Sequence, residues 1–564
     1  MTTAAAPFPS RKLPGRKPKA PAILYGAILL TLLILLSVFA LTARQPPPPT
    51  IAEFAPQAVE QIQDAPSEQS SEFGSGEGPG DCPPGAACGE GGSGPGGPGG
   101  GEPPPIKGVP RARKCIGDPP RQIEDPQSPP CVPFWSGDNG GSTAKGVTEN
   151  EIRIGIPDSG DEDKFYVAFF NSRFEFYGRK LVPISLRDDF AGGEPVQQRN
   201  AAVAAEAKNI FASTNATYGG GFHYYDELAN RGIISGVVDS TVTEDYLKER
   251  HPYIWQYEPA IDRMLSSLGD WACARLGGQS ARHAGDPLMH DDKRVFGIMF
   301  GTQSPDVPVD PNLLKAELES CGHEVPIMRQ YVQGTGAGSG DDAGTMIAMN
   351  DAGVTTIFCL SFFVSCSRLG QAASGQAYFP EWVLSTYYRN DRNFGIKNFN
   401  FPREQLDNAF GLTFLPRQLD GNYEPEYWAL REVNPGDSGE GSRSGLRIWN
   451  VNVKYRSLLL LASGIQMAGP ELTPQTFAAA LARTKFPNPD HKNLPGRVGF
   501  NDGDHGMMND MAEIWWSNDA QSPYPEEERG SWCYVEGGAR RARGAFPRGD
   551  SVFFSGECVT GANG

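Results

Sequence analysis

The chain has 564 residues, ten cysteines and a formal net charge of −17. That length exceeds what one compact core needs, so two or more domains are expected. Residues 1–44 carry six basic groups (Arg11, Lys12, Arg16, Lys17, Lys19, Arg44) and no acid, leaving 44 basic against 67 acidic side chains beyond them. A body that acidic repels phosphate backbones, which argues against nucleic acid as a partner.

Ala20 to Ala43 is an uncharged run of 24 residues. As a helix it extends about 36 Å, enough to cross a bilayer core of roughly 30 Å. Basic residues crowd its N-terminal side. They predict a cytoplasmic tail over 1–20, a transmembrane helix over 21–43 that contacts the lipid bilayer, and an extracytoplasmic body. The expected location is the cell membrane, single-pass. The competing reading is a cleaved signal peptide, whose apolar stretch is normally about 7–15 residues and ends in small residues. This run is longer, and Leu41 and Thr42 interrupt the small residues at its end.

Residues 44–114 are rich in Pro, Gly, Ser and Glu, with PPPP, SGEGPGD and GGSGPGGPGGGEPPP. Such composition buries too little apolar surface to offset ordering, so a disordered linker is expected, with a span of roughly 45–50 Å for a coil of about 70 residues. The cysteines fall into local couples: Cys82/Cys88, Cys115/Cys131, Cys273/Cys321, Cys359/Cys366 and Cys533/Cys558. An exported body permits disulfides, and these are the economical pairings, although spacing leaves connectivity open. No C-x-x-C pair or Cys/His cluster with zinc spacing occurs, so neither a metal nor a cofactor is expected. Residues 115–145 form a collar in which Cys115 and Cys131 close a proline-rich loop.

From Gly146 onward β-branched runs alternate with helical stretches, the pattern of parallel sheets covered by helices. The first set predicts strands at Glu151–Pro157, Leu181–Leu186, Asn209–Ala212 and Ile233–Val238. Helices fall between them at Lys164–Tyr177, Gln197–Lys208 and Tyr224–Arg231. A change of register near Tyr257 separates a second set. After a helix over Ala260–Leu276, strands are predicted at Arg294–Phe300, Glu324–Val332, Thr355–Phe362 and Glu381–Tyr387, with helices at Pro311–Glu319, Asp342–Asp351 and Ser367–Gln376. Beyond Asn390 come a strand over Leu406–Leu415, helices near Tyr427–Val433, Asn452–Met467 and Pro474–Arg483, and a strand over Arg497–Phe500. Leu458–Leu461 is apolar all round but too short to span a membrane, which predicts a buried core helix. The tail beyond Ser517 has no clear periodicity and is expected to fold back through Cys533 and Cys558.

GVTENEIRIGIP (146–157), YGRKLVPISLRDD (177–189), PEWVLSTYY (380–388), FAAALARTKF (477–486) and GRVGFNDGDH (496–505) occur in that order. Together they resemble the type 1 periplasmic solute-binding proteins, the branched-chain amino-acid-binding or leucine-binding-protein-like group. Cys131-Val-Pro-Phe, GDNGG (137–141) and AEIWW (512–516) resemble an actinobacterial, membrane-anchored branch. The resemblance implies an α/β fold of two Rossmann-like lobes with parallel sheets, joined by three crossings and closing on a solute like a hinge. Crossings near Tyr257–Pro259, Tyr388–Asn393 and Gly496–Asn501 then divide the chain. Residues 146–258 belong to the first lobe, 259–388 to the second, 389–495 to the first again, 496–517 to the second again, and 518–564 to a C-terminal extension. The family's first strand runs into a Pro-Leu-Thr-Gly-like loop; here Asp158-Ser-Gly-Asp-Glu-Asp163 follows. Ligand class is therefore not carried over.

Loops after parallel strands present free helix N-terminal N–H groups and hydroxyls to a polar solute. On the first lobe these are Asp158, then Ser213, Thr214 and Asn215, then Asp239, Ser240 and Thr241. The resemblance puts hydroxyl ligands for an amino acid's carboxylate and ammonium in the latter two clusters, and an ammonium-binding acid near Tyr257 and Glu258. Thr302, Gln303, Ser361, Tyr387 and Tyr388 face them from the second lobe. Turn and cap chemistry selects the same residue types. Asp158, Asp161, Glu162 and Asp163 crowd one βα loop, with Asp239 on a nearby loop; this suggests a preference for a cationic or zwitterionic solute, with surface solvation as the alternative reading.

Other motifs carry less. GDSG at 436–439 lacks a recognisable histidine and carboxylate context for a catalytic triad. GTGAGSG at 334–340 has neither phosphate-loop nor dinucleotide spacing. Asn501, Asp502, Asp504 and Asp510 misplace the calcium-loop glycine and distal glutamate. The sequence therefore predicts a binding protein, not an enzyme, that captures a small polar, amino-acid-like solute for an ABC-type membrane permease. A ligand sensor or an envelope interaction protein on the same fold is the alternative, and an exported hydrolase the weaker one.

Overall fold

The computed structural model describes residues 115–116, 121–122, 125, 127–157, 161–186, 194–215, 221–239, 242–302, 309–332, 341–418, 424–434, 446–483, 485–486, 498–500, 504–523 and 529–560. The apolar run, the linker, Cys82, Cys88, GTGAGSG and GDSG lie outside them. Among the described residues no helix is long and apolar enough to cross a membrane. All of them fall in one compact unit, Gly80–Gly564.

The collar is a pair of two-residue antiparallel strands, β1 (Cys115–Ile116) and β2 (Arg121–Gln122), closed by the Cys115–Cys131 disulfide. The first lobe follows as β3 (Glu151–Pro157), α1 (Asp161–Arg173), β4 (Lys180–Leu186), α2 (Pro195–Glu206), β5 (Ala212–Ser213), α3 (Phe222–Asn230), β6 (Ile234–Val237), α4 (Glu244–Glu249) and β7 (Ile254–Gln256). Its five strands are parallel, in the order β4-β3-β5-β6-β7. Helix α1 starts three residues before the expected Lys164. Asp161, Glu162 and Asp163 fill its first turn, where the helix dipole favours acids. Pro195 opens α2, where its missing N–H costs nothing. Helix α4 and strand β7 are absent from the sequence reading because six and three residues are too few to show a period.

Helix α5 (Ile261–Arg275) carries the chain into the second lobe. There β8 (Val295–Thr302), α6 (Asn312–Ser320), β9 (Glu324–Val332), α7 (Asp342–Asp351), β10 (Thr356–Leu360), α8 (Phe363–Gly375), β11 (Glu381–Ser385), α9 (Asn393–Asn398), α10 (Arg403–Leu406) and β12 (Ala409–Thr413) succeed one another. The parallel order β9-β8-β10-β11-β12 repeats that of the first lobe. Strand β12 was expected in the return to the first lobe. It pairs with β11 instead, because Phe410 and Leu412 fill the second core.

The chain then returns with α11 (Pro425–Val433), α12 (Leu446–Ala468) and α13 (Pro474–Arg483), which pack on the first lobe. Leu458–Leu461 of α12 are fully buried, as the apolar run predicted. The helix lies so close to β6 that a Cβ on Gly236 would stand 2.9 Å from Leu461 Cγ. The strand predicted at Arg497–Phe500 is β14 (Val498–Gly499). It pairs with β13 (Lys485–Phe486) in a separate hairpin rather than joining the second lobe. Finally β15 (Met511–Gln521), β16 (Arg529–Tyr534) and β17 (Arg540–Arg541) extend the second sheet with antiparallel strands from β12 outward. The tail is thus part of this sheet and not an appendage. Burial is nearly continuous along the first half of β15, which removes the alternation that would have marked it.

Core membership locates the crossings. Tyr257, Leu415 and Met508 sit in a core built mainly from first-lobe residues, which also takes in Phe363 and Phe394 of the second lobe; Ile261, Phe414 and Met511 sit in the second lobe's core. The chain changes lobe at 257–261, at 414–415 and at 508–511. The second and third changes come later than the resemblance implied, because β12 completes the second sheet before the return. Cys273–Cys321, Cys359–Cys366 and Cys533–Cys558 all form in the second lobe.

Candidate ligand cleft

In a parallel sheet of this strand order, the loops after the first and third strands diverge to opposite faces, and a crevice opens at their carboxyl ends. Those strands are β3 and β5 in the first lobe, β8 and β10 in the second. Asp158, which follows β3, and Ser240, Thr241 and Gln303 lie outside the described residues, as do the side chains of Asp161 and Glu162.

The first-lobe candidates are engaged within their own lobe. Ser213 Oγ donates to the Thr214 carbonyl (3.0 Å) and shares a hydrogen bond with the Tyr224 hydroxyl (2.9 Å). Thr214 Oγ1 reaches the Gly155 carbonyl at 3.4 Å. The Asn215 side-chain oxygen accepts from the Val238 N–H (2.8 Å) and the Tyr225 hydroxyl (3.3 Å). Its backbone N–H donates to Ser457 of α12 at 3.0 Å. Tyr257, at the first crossing, donates to Gln127 of the collar at 2.5 Å; burial pushes its hydroxyl up to about 12. Gln127 also bonds Met508 at the third crossing and Arg456 of α12, and Asp125 bonds Tyr455 and Arg456. The collar therefore inserts between two of the crossings.

The second-lobe candidates behave differently. The Thr302 and Ser361 hydroxyls are buried and have no hydrogen-bond partner among the described residues. Tyr387 is buried and donates to the Gly301 carbonyl at 2.6 Å. Half-buried Tyr388 packs edge-on against Phe362, with ring centroids 5.9 Å apart. Tyr388 and Arg389 both hold positive φ, 52° and 58°. Two consecutive left-handed non-glycine residues cost on the order of 1–3 kcal/mol each and persist only where surrounding contacts fix them. Here Thr386 and Asp391 do so: the Thr386 hydroxyl donates to Asp391 (2.7 Å) and accepts from the Phe414 N–H (2.7 Å), and Thr413 also donates to Asp391.

The strained turn aims Arg389 across the cleft. Its guanidinium meets Glu258 at 2.9 Å, Asp239 at 3.4 Å and Asn452 of α12 at 2.8 Å. Burial pushes the Asp239 carboxyl above its usual value, and Arg389 opposes that rise. Asp163 is likewise held by Lys454 at 2.9 Å. Of the acids that suggested a cationic or zwitterionic solute, Asp239 and Asp163 are thus matched by the chain's own cations, while Asp158 and the side chains of Asp161 and Glu162 lie outside the described residues. Asp504 and Asp510 pair with Arg263 and Arg540, not with each other. Among the described residues no three metal-ligating side chains converge.

Of the residues predicted from sequence, the structure brings Asp239 and Glu258 to one point and sets Tyr388 beside it. It turns Ser213, Asn215 and Tyr257 inward, and buries the Thr302 and Ser361 hydroxyls on the facing lobe without a hydrogen-bond partner among the described residues. Sequence reasoning missed Arg389, Asn390 and Asn452. A signal was present for Arg389: it follows a predicted strand end directly, in the run Tyr387-Tyr388-Arg389-Asn390.

No protein-family model and no curated protein matches this chain. Among solved structures it is similar to an ABC transporter substrate-binding protein of Aeropyrum pernix, with 13% identity and a TM-score of 0.49, covering 70% of this chain and 97% of that one. It is also similar to a leucine-, isoleucine-, valine-, threonine- and alanine-binding protein of Brucella ovis in a closed conformation, with 14% identity and a TM-score of 0.49, covering 71% and 98%. A third is an ABC transporter solute-binding protein of Rhodopseudomonas palustris BisB5 in complex with 3,4-dihydroxybenzoic acid, with 10% identity and a TM-score of 0.48, covering 70% and 97%.

Proposed function

We propose that this chain is a membrane-anchored, extracytoplasmic solute-binding protein. It captures a small polar molecule between its lobes and passes it to a membrane permease. The observation that carries the reading is the Arg389 contact with Glu258 and Asp239. It joins the strand-end loops of two sheets of identical order across a crevice, where such sheets bind ligands. Three chain crossings beside that contact allow opening and reclosure. The apolar run Ala20–Ala43 supplies the anchor and the Pro/Gly-rich segment the reach.

A broad metabolite library tests this by thermal shift, with each responding solute recovered afterwards. The expected outcome is at least one small solute that raises the melting temperature and is returned chemically unchanged. Turnover of the solute, or no response across the library, overturns the reading.

A further inference from the structure

We propose that the captured solute is uncharged and bears hydroxyl or carboxamide groups, recognised by Thr302, Ser361 and Asn390 of the second lobe. The inference rests on the solute-capture reading and names the class of molecule for that cleft.

Three observations converge. The first is placement. Thr302 ends β8 and Ser361 follows β10, the adjacent parallel strands whose divergence defines the second lobe's crevice, with Leu360 in register with Phe300. Asn390 follows β11 and is tied to the same point, donating from its amide to the Ser361 carbonyl at 2.7 Å and the Tyr387 carbonyl at 3.0 Å.

The second is hydrogen-bond accounting. Thr302, Ser361 and Asn390 are 2%, 0% and 1% exposed, yet Thr302 Oγ1, Ser361 Oγ and Asn390 Oδ1 have no partner among the described residues. Buried polar atoms are nearly always satisfied, because leaving one unpaired is costly. Three of them at one crevice mark groups kept for something that arrives from outside. Gly301 packs closely on the Ser361 hydroxyl: a Cβ there would stand 2.4 Å from Ser361 Oγ.

The third is charge. Two hydroxyls donate and accept and an amide oxygen accepts, so the set complements neutral groups in both directions. None of the three carries a charge, and an ion buried against them would lack a counter-ion. Arg389 is matched by Glu258 and Asp239; Asp391 takes Thr386 and Thr413 on one carboxylate oxygen and faces Arg392 with the other at 4.0 Å.

The test uses the full chain in detergent. One panel of probes is neutral (myo-inositol, glucose, trehalose, nicotinamide) and a second is charged or zwitterionic (leucine, glutamate, arginine, benzoate). Melting temperature and calorimetric affinity are read for each. A neutral probe is expected to raise the melting temperature by several degrees while the charged panel does not. Ser361→Ala and Thr302→Val should each weaken that probe at least tenfold while the free protein melts at an unchanged or higher temperature. A hydroxyl with a purely structural role would lower it. Stabilisation by the charged panel alone overturns this inference but leaves solute capture standing. Silence from both panels overturns this inference and leaves solute capture to the broad library, and a drop in free-protein melting for Ser361→Ala overturns the assignment of that residue.

Discussion

In the first lobe, Ser213 and Asn215 commit their side chains to Tyr224, Tyr225 and the backbone of neighbouring strands. In the second, Thr302, Ser361 and Asn390 occupy comparable positions at strand ends and leave polar atoms unmatched. The strand order is the same in both. Repetition of a fold therefore does not repeat its chemistry. One lobe has used its polar loops to brace itself against α12, while the other buries polar atoms that it leaves unmatched. The second lobe has its own means of rigidity: three disulfides, an antiparallel extension of its sheet, and fully buried ion pairs linking Arg294 to Glu381 and Asp550 and Arg275 to Glu513. A site with unmatched polar groups is destabilised, and rigid surroundings are what allow it to persist.

The largest expected effect tests that bracing. Glu381 accepts from Arg294 at 2.7 and 2.8 Å and from Thr356 at 2.6 Å, all fully buried. Glu381→Ala leaves a guanidinium without one of its two acids and should cost about 3–5 kcal/mol in denaturant unfolding. A loss below about 1 kcal/mol would show that the second lobe is braced by other means.

Next, Arg389→Leu removes a charge-assisted contact between the lobes. A stability loss of about 1.5–3 kcal/mol is expected, together with a larger radius of gyration in solution scattering. An unchanged radius would mean that Arg389 does not hold the lobes together.

Ser213→Ala addresses the contrast directly. It strips Tyr224 of a buried partner and should cost about 1–3 kcal/mol, whereas Ser361→Ala leaves nothing unpaired and should fall within about 0.5 kcal/mol of the parent. Equal losses at the two positions would erase the distinction between the lobes.

The smallest effect is on pH dependence. Burial pulls His283 and His323 of the second lobe below the usual histidine value of 6.5, and burial with His505 does the same to the more open His251 of the first. The unfolded chain then takes up protons that the folded one resists. Their contribution is present above 6.5 and is lost as pH falls through the folded values. Asp125 and Asp239 act in the opposite sense, since burial raises their folded values and their contribution declines as pH rises from 3.8. Melting temperature should fall between pH 7.5 and 5.5, and replacing His283 and His323 with Gln should flatten the slope. An unaltered slope in that double variant would place the acid sensitivity outside the second lobe.

Much of the fold was legible because its signals are local. Strands such as Glu151–Pro157 and Glu324–Val332 and helices such as Asp342–Asp351 and Pro474–Arg483 declare themselves within their own residues, by β-branching or by period. Elements shorter than a period, such as α4 and β7, do not. Neither does β15, whose buried first half shows no alternation. The site was half legible. Thr302, Ser361, Asp239, Glu258 and Tyr388 stand where strand-end reasoning places them. Which strand-end residues are already engaged is another matter: Ser213 and Asn215 are taken by Tyr224, Val238 and Ser457, and Asp239 and Glu258 by Arg389, partners that no spacing relates to them.

The order of strands and helices, the local cysteine couples and the acidic balance of the body follow from residues close together in the chain. That Arg389 meets Asp239 across 150 positions, that β12 completes the second sheet before the chain turns back, and that Asp125 and Gln127 lodge at the hinge are decided only when distant segments pack. Hydrogen bonds and ion pairs are exclusive, so whether a side chain is free to meet a solute depends on which neighbour reaches it first in three dimensions.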